Sequence, residues 1–202
     1  TRAMRSSLLI FAAALVALMA GVLFYAAQCP VREKAPPPVA QPTLEVVSHP
    51  SFTLPDETGA ERDFSEWDGR HRLLNFWATW CAPCRREIPL LKTFQDEQGD
   101  AGIQVIGIAV DFPEEVTVYA EQAEFNYPIL VGQENAMAIA EMSGVEFIGM
   151  PFTMIVSREG EYIGAYIGEL HRSHLDDISN ILGRLDDGDF DAETAKKALK
   201  LL

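Results

Sequence analysis

Two cysteines, Cys81 and Cys84, stand two residues apart where an apolar run gives way to a helical pattern. The run from Arg72 to Thr79 is typical of a buried strand, and the helical pattern after it ends at Gly99. The start of a helix carries free N–H groups and partial positive charge, which favour a thiolate over a thiol. We therefore expect Cys81, at the helix entry, to be the exposed nucleophile, and Cys84 to be a shielded resolving thiol.

The remaining pattern predicts an α/β fold. A β-branched run, Ile103 to Val110, indicates a second buried strand, and Pro113 begins a helix for which Asp111 is the expected cap. A third strand and a short helix follow, and a hairpin covers residues 152–168. The last long helix carries apolar residues at helical spacing, namely Leu175, Ile178, Leu182 and Leu185. Strands that alternate with helices and end in a hairpin imply a sheet with helices packed on it.

The N-terminal segment, residues 1–28, differs from the rest. Arg2 and Arg5 precede residues 8–27, which carry no charge. A helix that rises ~1.5 Å per residue would span the hydrocarbon core over this length, and the run exceeds the ~7–15 residues of a cleaved signal core. We predict an uncleaved transmembrane anchor with a cytoplasmic N-terminus. Cleavage of the segment and lipidation of Cys29 are the alternatives, although Gln28 stands where a lipobox ends in a small residue.

Three further regions follow the anchor. Residues 29–43 are rich in proline and predict an extended linker in the periplasm. Residues 44–186 form the predicted folded domain, and residues 187–202 form a tail for which we predict at most a short helix. The net charge of −14 disfavours binding to nucleic acid. Three cysteines are too few for a disulfide-stapled scaffold.

The stretch LLNFWATWCAPCRREIPLL resembles the active-site segment of membrane-anchored thioredoxin-like proteins of the TlpA/ResA type. The resemblance covers roughly Leu44 to Leu185 and implies a thioredoxin fold, with a central mixed β-sheet flanked by helices. It also implies a thiol:disulfide oxidoreductase that reduces protein disulfides and needs no cofactor beyond its dithiol. Its expected partners are disulfide-containing proteins and a membrane electron donor of the CcdA/DsbD type, and its expected location is the periplasmic side of a bacterial inner membrane.

The resemblance implies further site residues. Glu87 corresponds to the acidic group near the dithiol and follows Cys84 by three residues, which places both on nearly the same helical face. The alternative is a solvated glutamate beside two arginines. Trp80 is expected to border the site and contact substrate. GMPFTMIV is similar to the family's cis-proline loop, so Pro151 would face the dithiol and the Met150 backbone would pair with a substrate strand.

The chain departs from thioredoxin itself at Asn75, where thioredoxin has a buried aspartate on the strand before its CxxC. An asparagine cannot accept a proton from the second cysteine. This departure is the reason for looking to Glu87 as the proton acceptor.

A CxxC motif can also be a structural disulfide, half of a zinc site or part of a thiol peroxidase. A structural disulfide would close almost no loop and so stabilise little. A zinc site needs two more ligands, and His171 and His174 are more typical of a solvated turn, while His49 and His71 are expected at the surface. A thiol peroxidase would need a proline and a threonine at fixed positions before the cysteine, where this chain has Leu74 and Ala78.

Two alternative functions are a specialised cytochrome c maturation thioredoxin and a copper-delivery protein. A specialised cytochrome c maturation thioredoxin typically carries GAPET at the cis-proline loop, where this chain has GMPFT. A copper-binding and delivery protein of the Sco type would need a CxxxC motif and a distal histidine.

Overall fold

The computed structural model describes residues 15–21, 24 and 49–201. The chain divides into two compact units, Thr1–Pro42 and Thr43–Leu202. In the first unit, residues 15–21 and 24 are helical. Within the described part of the chain, no helix combines the length and apolar character needed to cross a membrane. Most of the predicted anchor, Cys29 and the predicted linker lie outside the described residues.

The second unit is built on a mixed five-stranded sheet. Its strands are β3 (Arg72–Trp77), β4 (Gln104–Val110), β5 (Ile129–Gly132), β6 (Phe152–Val156) and β7 (Tyr162–Ile167). Their order in the sheet is β5-β4-β3-β6-β7. The three parallel strands β3, β4 and β5 occupy one half, while β6 runs antiparallel to β3 and β7 antiparallel to β6. The predicted α/β class with a mixed sheet is confirmed.

Both faces of the sheet are covered, because successive side chains of a strand point to opposite faces. On β3, Leu73 and Trp77 pack against helices α1, α2, α4 and α5, whereas Leu74 and Phe76 pack on the opposite face, where α3 lies. Asn75 shares the face of Leu73 and Trp77 and therefore points toward α1. The helices are α1 (Ala82–Gln98), α2 (Pro113–Ala123), α3 (Glu134–Glu141), α4 (Arg172–Asp186) and α5 (Ala192–Leu199).

A small two-stranded ribbon precedes the sheet. Two strands pair here, β1 (Thr53–Pro55) and β2 (Glu61–Asp63), followed by a 3₁₀ turn, Phe64–Trp67. The Asp63 side chain accepts the Ser65 N–H at 2.9 Å and caps that turn. Elements this short carry no measurable periodicity, so the pattern could not separate them.

Asp111 does not cap α2, so that prediction is wrong. Phe112 is the N-cap residue, and no side chain bonds the free N–H groups there. The Asp111 carboxylate instead accepts the Thr79 N–H at 2.9 Å and the Thr79 hydroxyl at 2.6 Å. It therefore ties the end of β4 to the loop that leads into α1.

The expectation that His71 lies at the surface is also wrong. His71 is buried, its Nε2 lies 3.0 Å from Asp186 Oδ1, and the Arg158 N–H donates to its Nδ1 at 3.1 Å. Burial lowers the pKa of His71, and the adjacent Asp186 partly offsets that shift. The histidine thus joins β3, the β6–β7 turn and α4 at the end of the sheet remote from the cysteines.

Helix α5 packs against the edge strand β7. Leu199 is 5% exposed, and a Cβ placed at Gly164 would lie 3.1 Å from Leu199 Cδ1. Only a residue without a side chain lets the helix approach the strand this closely. The tail after residue 187 therefore adds apolar contacts to the core of the second unit.

We predict that Leu199→Ala lowers the free energy of unfolding by about 2–4 kcal/mol, since it leaves a cavity between α5 and β7. Chemical denaturation monitored by circular dichroism measures this change. Leu201→Ala is the matched control, because Leu201 is 87% exposed and its truncation should change stability by less than about 0.5 kcal/mol. Equal effects of the two substitutions would contradict the packing of α5.

Candidate active site

The two cysteines lie at the start of α1 and form a disulfide, with their Cα atoms 5.3 Å apart. Cys81 is the N-cap residue of the helix, and its Sγ accepts the Cys84 N–H at 3.3 Å. This contact directs a helix N–H group at the sulfur on which a thiolate would form. The arrangement therefore places a hydrogen-bond donor where it would stabilise a thiolate at Cys81.

The two sulfurs differ in burial, although less than the sequence suggested. Cys84 is fully buried, while Cys81 is 5% exposed. The expectation of a well-exposed Cys81 is wrong for this disulfide form, because Cys81 belongs to the core cluster between the sheet and α1. Cys81 is nonetheless the more accessible of the two.

Glu87 lies on α1, three residues beyond Cys84, and is only 1% exposed. Its Oε1 accepts the Asn75 side-chain N–H at 2.8 Å, and its Oε2 accepts the Leu170 backbone N–H at 2.6 Å. A solvated Glu87 is excluded by this burial. Each carboxylate oxygen therefore has one protein donor from a different element.

Burial raises the pKa of Glu87 to about 7, because the charged form loses its hydration. The Leu170 N–H and the Asn75 amide favour the carboxylate and offset part of that shift, whereas the negative charge of Glu169 adds to it. A carboxyl group with a pKa near neutrality can both accept and donate a proton at working pH. Such a group beside a dithiol is suited to acid–base chemistry.

Asn75 is the residue that fixes the Glu87 carboxyl group from the sheet side. Its Nδ2 donates to Glu87 and also lies 3.2 Å from Thr153 Oγ1 on β6, the residue opposite it in register. Its Oδ1 is buried and has no hydrogen-bond partner among the described residues. The sequence indicated only that Asn75 cannot accept a proton and missed its role as a donor to Glu87.

The Met150–Pro151 peptide bond is cis, and Pro151 is buried immediately before β6. The Pro151 carbonyl accepts the Gly168 N–H at 2.9 Å. Met150 packs, partly buried, against the core cluster that contains Cys81 and Cys84. The predicted loop thus lies on the same face of the sheet as the dithiol.

Exposed apolar side chains stand on three loops next to these residues. Trp80, which precedes Cys81, is 68% exposed, whereas Trp77 is only 1% exposed. Phe112, adjacent to Asp111, is 60% exposed, and Ile148, near Met150, is 75% exposed. The sequence singled out Trp80 but missed the other two, because lone apolar residues in loops give no pattern.

Comparison with known proteins identifies the family of this chain. The family model described as the AhpC/TSA family matches residues 47–163. The thiol-disulfide oxidoreductase ResA of Geobacillus kaustophilus (strain HTA426) is 27% identical over 128 residues, which cover 63% of this chain and 71% of that protein. ResA of Bacillus subtilis (strain 168) is 23% identical over 135 residues, 66% of this chain and 73% of that protein.

Solved structures show the same fold. A thiol:disulfide interchange protein of the thioredoxin family from Chlorobium tepidum TLS is similar with a TM-score of 0.59 at 24% identity, over 69% of this chain and 95% of that chain. A secreted thiol-disulfide isomerase from Corynebacterium glutamicum is similar with a TM-score of 0.60 at 23% identity, over 68% of this chain and 85% of that chain. The fold is therefore thioredoxin-like.

We predict that Glu87 gives the folded protein a distinctive dependence on pH. Its pKa is about 7 when folded and 4.5 ordinarily, so the folded state binds the proton more tightly. The resulting stabilisation is fully present below pH 4.5 and is lost as the pH rises through 7. Relative to Glu87→Gln, the wild type should therefore lose up to about 3 kcal/mol of unfolding free energy between pH 5 and pH 8.

Urea denaturation of the oxidised protein at the two pH values measures this difference. Glu121→Gln is the control, since Glu121 is exposed on α2 and should leave the pH profile parallel to that of the wild type. Parallel profiles for Glu87→Gln and the wild type would show that the Glu87 pKa is not raised.

Proposed function

Because the chain belongs to the AhpC/TSA family and is a thiol:disulfide oxidoreductase, we propose that it reduces disulfides of protein substrates through Cys81 and Cys84. One observation carries the proposed dithiol–disulfide exchange. A buried carboxyl group with a pKa of about 7 lies one helical turn from Cys84, where a thiol must lose its proton before it can attack.

The first step uses Cys81 in the reduced dithiol. Its thiolate is favoured by the N-terminus of α1, whose Cys84 N–H points at the Cys81 sulfur. The thiolate attacks one sulfur of the substrate disulfide. A mixed disulfide forms between Cys81 and the substrate, and the second substrate sulfur leaves as a thiolate.

The second step uses Cys84 and Glu87. Glu87 accepts the proton of the Cys84 thiol, directly or through a water, and the new thiolate attacks the Cys81 sulfur of the mixed disulfide. The substrate sulfur leaves, and the Cys81–Cys84 disulfide forms. Two electrons have then passed from the dithiol to the substrate, and Glu87 releases its proton to the substrate thiolate or to water.

Protein substrates are favoured by the surface beside the cysteines. The exposed side chains of Trp80, Phe112 and Ile148 provide an apolar surface. Exposed apolar surface is typical of sites that bind proteins or peptides, and a small ionic substrate would not require it. The proposed backbone partner of a substrate strand is Met150, next to the cis bond at Pro151. These features suit an extended peptide with apolar residues near its cysteine.

The cellular setting is part of the proposal. We place the catalytic domain, residues 44–186, on the periplasmic side of the inner membrane, held by residues 1–28 through the linker 29–43. The uncharged run 8–27 supports this placement. The oxidised dithiol must be reduced again after each cycle, so electrons have to cross the membrane, which suits a donor of the CcdA/DsbD type.

Trapping of substrates tests the proposed function. We predict that Cys84→Ser, expressed in the native host, accumulates mixed disulfides on Cys81, because the resolving thiol is missing. Non-reducing electrophoresis and mass spectrometry identify the captured proteins. Cys81→Ser is the matched control and should capture none, because Cys84 is fully buried. Capture by both variants, or by neither, would refute the assigned roles.

We further predict that Glu87→Gln slows resolution of the mixed disulfide by about 10- to 100-fold and slows the first attack less, because only resolution needs its basicity. Loss of its negative charge should also lower the pKa of the cysteines. Stopped-flow kinetics across pH, with thiolate absorbance, measures both effects.

Arg85→Gln is the control for this substitution. The neighbouring Arg86 is unsuitable, because it forms an ion pair with Glu169 beside Leu170, whereas Arg85 is exposed and has no ion pair among the described residues. Unchanged resolution and unchanged thiol titration in Glu87→Gln would remove Glu87 from the mechanism.

A further inference from the structure

Three consecutive residues, Gly168 to Leu170, contact three parts of the candidate site. The Gly168 N–H donates to the Pro151 carbonyl at 2.9 Å. Glu169 forms a forked ion pair with Arg86, with its shortest N–O distance 2.5 Å. The Leu170 N–H donates to Glu87 Oε2 at 2.6 Å. No motif or periodicity connects this segment, which joins β7 to α4, with the dithiol.

We propose that the Gly168–Leu170 loop is a positioning segment that couples substrate docking at Pro151 to proton acceptance by Glu87. This inference rests on the proposed function, in which a substrate strand pairs beside Pro151 and Glu87 takes the proton of Cys84. The backbone N–H groups of the loop donate to the Pro151 carbonyl and to the Glu87 carboxylate. A shift of the Pro151 loop on docking is therefore passed to the N–H group that holds the Glu87 carboxylate.

The loop is suited to transmit such a shift because it is held at both ends. Gly168 has φ +129°, a conformation that residues with a side chain rarely adopt, so its N–H direction depends on glycine. Leu170 is 1% exposed and belongs to the core cluster that contains Cys81 and Cys84. Between them, Glu169 is fixed to α1 by Arg86.

The proton transfer itself changes the strength of this hold. A hydrogen bond to a carboxylate is roughly twice as strong as one to a neutral group. When Glu87 takes the Cys84 proton during resolution, its bond to the Leu170 N–H weakens. The loop then holds the Pro151 loop less firmly at the moment when the reduced substrate must leave.

Two titratable groups interact with Glu87. Glu169, on the loop, adds to the raised pKa of Glu87 through its negative charge. Tyr127, buried before β5, also interacts with Glu87, and burial raises the pKa of Tyr127. Arg86 and His171 in turn interact with Glu169. The charge that the loop presents to Glu87 is therefore that of Glu169.

Gly168→Ala tests the coupling, with Gly188→Ala as the matched control. Gly188 also has a positive φ, +76°, and an added Cβ there would have no heavy atom within 4 Å, so the control adds a side chain at a positive φ away from the site. Two quantities are measured on the oxidised full chain, which cannot turn over. One is the pH of half-protonation of Glu87, by ¹³C NMR of its carboxyl carbon. The other is the Kd of a disulfide-bonded peptide with apolar residues beside its cysteines.

We expect Gly168→Ala to raise the Glu87 midpoint by about 0.5–1 pH unit, since the Leu170 N–H bond that favours the carboxylate is weakened. We expect the peptide Kd to rise about three-fold, since the Pro151 carbonyl loses its donor. Gly188→Ala should change neither quantity. If Gly168→Ala folds and changes neither quantity, or only one of them, the coupling is refuted.

Arg86→Gln provides a second test that leaves the backbone unstrained. It should raise the Glu87 midpoint by a smaller amount, about 0.3 pH unit, because it frees Glu169 and loosens the loop. Arg86→Lys should restore part of the shift, and Arg85→Gln should give none. An unchanged midpoint in Arg86→Gln overturns the proposal if Gly168→Ala does not fold. Neither measurement needs turnover, so failure of the proposed reductase activity would appear separately, as an absence of trapped substrates.

Discussion

The Glu87 carboxyl group is buried between a strand and a helix, and the rest of the site is arranged around it. Burial of a carboxylate is unfavourable unless hydrogen bonds replace its hydration. Here Asn75 supplies one N–H from the sheet and Leu170 supplies another from the loop before α4. These two hydrogen bonds offset only part of the effect of burial, so the pKa of Glu87 remains raised to about 7. The carboxyl group therefore changes its protonation state near neutral pH. That intermediate condition is what a proton acceptor beside a dithiol requires.

The register of β3 determines that Asn75 faces Glu87. Asn75 faces α1 because it alternates with Leu74 and Phe76, which face the opposite side of the sheet. A slip of β3 by one residue would point Asn75 away from Glu87 and turn an apolar side chain toward it. The antiparallel pairing with β6 fixes this register and sets Thr153 opposite Asn75, two residues after Pro151. The donor to the proposed proton acceptor and the proposed docking loop thus lie on the same pair of strands.

Local sequence pattern predicted the parts of this site that are contiguous in the chain. The strand predicted over residues 72–79 is observed at Arg72–Trp77, and the predicted helix after it and the α/β class are confirmed; all three follow from short-range periodicity. The loop at residues 168–170 and the ties made by Asp111 depend on residues that are distant in sequence, and no periodicity marks them. The same holds for His71, whose partners on the β6–β7 turn and α4 come together only when the sheet closes.

The unequal burial of the two sulfurs supports the proposed order of the reaction. Cys81 is the more accessible sulfur, because Cys84, in the first turn of α1, is fully buried. In the proposed mechanism Cys84 therefore exchanges only with Cys81, and its proton leaves through the protein interior. On the core side, Glu87 is the acidic group within one helical turn, and Asn75 can only donate to it. An aspartate at position 75 would place the base on the sheet. With asparagine there, the proposed base lies on the helix that carries the cysteines. Its position relative to them is set by the α1 backbone, and the loop that ends at Leu170 connects it to the proposed docking loop.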